Sequence, residues 1–122
     1  MYCRCCIVAL FWSINNMTEV LLTISTRPQQ AEAISDWLLE QSLPGFTSWQ
    51  AFGHSNRSDH LSLSEQIQGK QKRTVMSLHL DAERADQLLL QLRETFPLYD
   101  IHYWLQPLLA SGALNPGVST AD

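Results

Sequence analysis

The chain has 122 residues, 45 % of them hydrophobic and only 16 % charged, with a formal net charge of −4. That length suits one domain able to bury its own core, and the acidic balance excludes a general nucleic-acid binder, which carries a basic footprint. All three cysteines (Cys3, Cys5, Cys6) fall within the first six residues, an odd, crowded set that excludes a disulfide scaffold and lacks the paired spacing of a zinc site.

Residues 1–16 read as an N-terminal extension outside the fold. "CCIVALFW" is apolar for eight residues, short of the roughly 20 that span a bilayer. It resembles the apolar stretch of a weak signal peptide, but no small-residue cleavage site follows "SINN". Met17 opens "MTEVLLTIS" in the manner of a genuine start. A membrane-targeting lead is the alternative. Without the extension the core holds no cysteine and suits the cytoplasm.

"TEVLLTIS" (18–25) is rich in β-branched residues and Leu and ends at a turn-prone "TRP", which predicts a strand. Pro28 sits where the first helical turn tolerates proline, with Thr26 as the expected cap. Ala31, Ile34, Trp37 and Leu38 keep helical spacing until Pro44 and Gly45 stop it. "GFTSWQAFG" (45–53) alternates aromatic and small residues and reads as a second strand. A polar segment with glycine at each end follows (53–69), then a third strand, "RTVMSLHL" (73–80). Asp81 is placed to cap the next helix and Glu83 to complement its positive end. Ala85, Leu88, Leu89, Leu92 and Phe96 continue the helical stripe to Pro97, and "YDIHYWLQ" (99–106) is the fourth strand. The domain is therefore expected over 17–110, with a flexible tail over 111–122.

The order βαββαβ predicts an α+β, ferredoxin-like fold: a four-stranded antiparallel sheet with both helices on one face. Period-2 alternation assigns Val20, Leu22, Ile24, Phe46, Phe52, Met76, Leu78, Leu80, Ile101, Tyr103 and Leu105 to the helix side. The other side receives Leu21, Thr23, Trp49, Ala51, Val75, Ser77, His79, His102 and Trp104. With two tryptophans this second face makes a poor solvent surface, so Trp49, Val75 and Trp104 are expected at an oligomer contact.

The basic stretch "GKQKR" (69–73) is the first candidate for chemistry. It fails as a P-loop, because Ser64 stands where the first glycine is required and Gln71 follows the lysine. It fails as an RNA-recognition strand for want of stacking aromatics. It is left as a binding rim formed by Gly69, Lys70, Lys72 and Arg73, against the plainer reading of charges that solvate an exposed strand. His54 and His60 flank a polar stretch containing Asp59; as a metal pair they lack a third fixed ligand, and plain loop histidines are the simpler reading. His79 and His102 share a sheet face but sit on strands about 9.6 Å apart, too far for one chain to join. No nucleophile, base or carboxylate pair stands out, so no enzyme is indicated. About 15 residues between hairpin strands exceed the usual connection, which points to a binding loop.

This topology, the long loop between the second and third strands and the basic start of the third resemble the PII-like signalling proteins. "EQIQGKQKR" at the loop's end and the ending Tyr103, Trp104, Pro107 and "GAL" (112–114) are similar to an uncharacterised bacterial PII-like family. The resemblance covers residues 18–114. It implies a homotrimer with its sheets around a central axis, ligand clefts between subunits and "GKQKR" at the cleft mouth. It also makes residues 53–69 the counterpart of the PII T-loop, which contacts target proteins; relatives of this kind are associated with transporters. One departure concerns ATP. PII proteins hold its phosphates on a glycine-rich loop, where this chain has "FPLYD" (96–100), with Pro97 removing an N–H. An ATP-type cofactor is therefore not expected. The T-loop counterpart also lacks a tyrosine for uridylylation. A metal-binding cation-tolerance trimer and a small oligomeric enzyme are the alternative readings.

Overall fold

The computed structural model describes residues 19–54, 70–115 and 117. Six elements follow in the expected order: β1 (Glu19–Thr26), α1 (Pro28–Leu39), β2 (Thr47–Gly53), β3 (Gln71–Asp81), α2 (Ala82–Thr95) and β4 (Ile101–Pro107). The strands form one antiparallel sheet in the order β2-β3-β1-β4. Both helices pack on the two central strands, giving the α+β ferredoxin-like arrangement.

The helix stripes explain the core. Ala31, Ile34 and Leu38 of α1, and Ala85, Leu88 and Leu92 of α2, recur three and four residues apart and are buried. They meet the inward-facing residues of the central strands, Leu22, Ile24, Met76 and Leu78, which are 2 % exposed or less. Phe52, Tyr103 and Leu105 lie on the helix side by register, yet Phe52 and Tyr103 are more than half exposed. They belong to the two edge strands, beyond the helices' cover. The Phe52 ring instead takes the Lys70 ammonium at 4.1 Å from its centroid.

Two expected caps are corrected. Thr26 does not cap α1: it ends β1 fully buried, with its hydroxyl 3.2 Å from the Asp100 carbonyl oxygen and 3.3 Å from Gln30 Oε1, and Arg27 takes the cap position. Asp81 does occupy the cap position of α2, but its side chain makes no capping hydrogen bond. Helix α1 also stops earlier than "LPG" suggests. The Glu40 and Gln41 N–H groups close the last turn on Trp37 and Leu38, Ser42 adopts φ 52°, and Arg84 donates to the Gln41 carbonyl at 3.1 Å. Strand β4 begins at Ile101 rather than Tyr99, because the Tyr99 ring stacks on Phe96 at 4.7 Å and Phe96 in turn meets Trp37 edge-on at 6.1 Å. That aromatic column holds the residues before β4 in a turn.

Because Leu88 is fully buried between the helix layer and the sheet, Leu88→Ala is expected to lower the unfolding free energy by about 2–5 kcal/mol in urea titration. A change under about 1 kcal/mol would contradict this description of the core.

Candidate functional site

The sheet surface away from the helices carries the candidate site. Register puts Trp49 opposite Val75, which faces Ser25, which faces His102; the next row reads Thr47, Ser77, Thr23, Trp104. Trp49 and Trp104 therefore stand on opposite edge strands, about 14 Å apart across three strand spacings. Each is 46 % exposed, whereas Thr23 and Val75 between them are buried by their neighbours. The surface is a shallow floor of small side chains between two indole shoulders.

At one end of this floor lies an ionic cluster. Arg73, 5 % exposed, donates from Nε to Ser25 Oγ (2.9 Å), from Nη2 to the Ser25 carbonyl (2.7 Å) and from Nη1 to Asp100 Oδ2 (2.8 Å). Arg27 Nε donates to the same Asp100 oxygen at 3.2 Å, and His102 Nε2 lies 3.1 Å from Oδ1. Gly53 leaves room for this side chain, since a Cβ there would sit 3.3 Å from Arg73 Cγ. The planar guanidinium fork is what allows one residue to satisfy Ser25 twice and Asp100 at once. The Asp100 backbone is fixed too: its N–H donates to Gln30 Oε1 at 3.1 Å. Burial would raise the Asp100 pKa, but the hydrogen bond and charge of Arg73, then the Arg27 bond and the His102 charge, outweigh it and hold the carboxyl below its ordinary value.

The sequence candidates are distributed as follows. Arg73 is the buried anchor of the cluster, Lys72 lies within β3, and Lys70 precedes it against Phe52. His54 is exposed just past β2. Gly69 and His60 lie outside the described residues, as does most of the 53–69 loop. His79 and His102 stay apart on strands flanking β1, with His79 Nδ1 3.6 Å from Glu19 Oε2. Among the described residues no three His, Cys, Asp or Glu side chains gather as a metal site, and every buried side-chain polar atom has a partner. No helix among them is long and apolar enough to cross a membrane. Sequence reasoning missed Ser25, Arg27 and Asp100. The signal was available: extending the alternation of β4 backwards from His102 puts Asp100 on the same face as Arg73.

A family model described as "Protein of unknown function (DUF3240)" matches residues 16–115. No curated protein matches the chain. Among solved structures, the crystal structure of a DUF3240 family protein from Shewanella baltica OS155 is similar with a TM-score of 0.66 at 23 % identity, covering 80 % of this chain and 97 % of that one. At that identity the likeness concerns the fold.

The lowered Asp100 pKa sets a pH dependence. Its stabilisation is present above the carboxyl's ordinary value of 3.8 and fades as pH falls through the lower folded value. Asp100→Asn is therefore expected to be less stable than the parent at neutral pH and to lose less further stability below about pH 4 in urea titrations. Parallel acid limbs for the two proteins would contradict the assignment.

Proposed function

The chain belongs to the DUF3240 family, and we propose that it acts as a PII-like regulator: a homotrimer that buries the open sheet faces at its centre and binds a ligand or target protein between subunits. The observation that carries this reading is the pair Trp49 and Trp104, both half-exposed on a sheet face that no helix among the described residues covers. Indole rings are large apolar groups whose burial favours association, and the small floor between them leaves room for a neighbour's side chains. Val75, already covered within one chain, forms the base of that contact rather than a protruding part of it.

The ligand is an anion or an acidic segment of the target, docking on Lys70 and Lys72 where the 53–69 loop returns to β3. In this reading Arg73 is chiefly structural: it ties the start of β3, where the 53–69 loop returns, to β1 and to the turn before β4. The loop contacts the target, for which a transporter is the proposed class. A nucleotide triphosphate is not proposed, because the turn before β4 is occupied by the Phe96–Tyr99 stack and Pro97.

Light scattering tests the assembly. The parent is expected at three chain masses of 13.9 kDa, and Trp49→Asp and Trp104→Asp at one, since each buries an unpaired carboxylate in the contact. A parent that stays monomeric at tens of micromolar, or variants that keep the parent's mass, would overturn the reading.

A further inference from the structure

A second, mixed surface lies on the opposite side of edge strand β4. A groove of about 490 Å³ runs between α2 and β4, lined by the apolar Leu89, Leu90, Phe96, Ile101 and Tyr103 together with Asp86 and Arg93. Leu90 is 58 % and Tyr103 56 % exposed there, so the groove is open and presents apolar surface to solvent.

The same chain carries a matching apolar element that stands exposed among the described residues. After β4 the Leu108 N–H donates to the Glu19 carbonyl, so the strand's last bond lies at the start of β1. The tail then leaves from that end, and Leu109 and Leu114 along it are 95 % and 93 % exposed. The groove's deeper part, at Phe96 and Ile101, lies at the other end of β4; Ile101 pairs with Thr26, Pro107 with Val20. Some 20 Å of strand separates the two ends, so to fill its own groove the tail would have to reverse at Pro107 and run back almost fully extended. The family match reaches residue 115 and so includes Leu114 in the family's domain. A neighbour packed on the open face beside Trp104 is only the thickness of β4 away from the groove, because β4 is an edge strand among the described residues.

We propose that the groove between α2 and β4 receives the 108–114 tail of a second copy of this chain, with Leu109 and Leu114 seated among Leu89, Leu90, Phe96 and Tyr103. Each copy offers one groove and one tail, so the contact closes either by reciprocal exchange in a pair or head-to-tail in a ring, and the trimer proposed above is the ring. It rests on the self-association proposed above and adds the element that locks neighbours together. The groove is a contact between copies rather than a pocket for a small ligand.

The test is photo-cross-linking of the full chain carrying p-benzoylphenylalanine at position 114, assembled from a mixture of ¹⁵N-labelled and unlabelled copies and read by mass spectrometry. Adducts are expected on the α2 and β4 peptides that line the groove, including species that join a labelled to an unlabelled chain. Leu90→Asp, at a surface position that leaves the core intact, is expected to cut their yield at least about tenfold, since it sets a carboxylate against the incoming leucines. Adducts confined to a single isotopic chain, or directed to Trp49 and Val75, would overturn the tail's docking. So would no groove adduct from a sample whose scattering mass is trimeric, which would leave the sheet-face reading standing. A monomeric mass would remove both.

Discussion

Among the described residues, a four-stranded sheet with both helices on one side has no second layer on its other side, and this asymmetry governs the rest of the fold. On the helix side, burial is nearly complete for the central strands: Leu22, Ile24 and Met76 have no exposed surface. On the open side the two central strands present mainly small or polar side chains, with Leu21 and Val75 the apolar exceptions, and the aromatic groups stand on the edge strands, as Trp49 and Trp104. At about 25 cal/mol per Å² of apolar surface removed from water, a pair of half-exposed indoles is a substantial drive toward any surface that can cover them. The proposed trimer answers that drive in the simplest way, by letting identical faces cover one another.

The basic stretch that opens β3 has a more specific part in this arrangement than charge alone suggests. Arg73 is turned into the sheet end, where Ser25 and Asp100 occupy its whole fork, and Gly53 across the hairpin supplies the space for its stem. One side chain thus joins β3, β1 and the residues before β4 at the point where the 53–69 loop re-enters the fold. A buried guanidinium bonded to Ser25 and Asp100 is costly to separate from its carboxylate, which anchors the start of β3. Lys70, whose ammonium lies over the Phe52 ring, and Lys72 flank this anchored point.

Much of the fold was legible in the sequence because periodicity is a direct consequence of burial. The alternation in "EVLLTIST" and "TVMSLHL" and the three-and-four spacing from Ala31 to Leu38 and from Ala85 to Leu92 locate the elements, and the short connections restrict the topology. What was not legible depends on tertiary neighbours. Thr26 has the chemistry of a cap, but the Asp100 carbonyl and Gln30 compete for its hydroxyl. Tyr99 reads as strand until Phe96 and Trp37 are seen to hold it in a turn. Alternation gave the correct side of the sheet for Phe52 and Tyr103 but not their exposure, since a side says nothing about how far the helices extend. The ionic cluster was half visible: Arg73 and His102 were singled out separately, while Asp100, which unites them, stood within the predicted fourth strand and was not weighed as their partner.

The claim that the open face is covered by other copies is tested most directly by hydroxyl-radical footprinting of the parent protein, resolved residue by residue. Trp49 and Trp104 are each 46 % exposed in a single chain and Phe52 on the helix side is 52 % exposed, so a monomer would oxidise all three freely. Burial between copies predicts strong protection of both tryptophans relative to Phe52 and to Leu39, which is 70 % exposed. Oxidation of Trp49 and Trp104 at the level of these exposed references would show that the sheet face meets water, and would contradict the account.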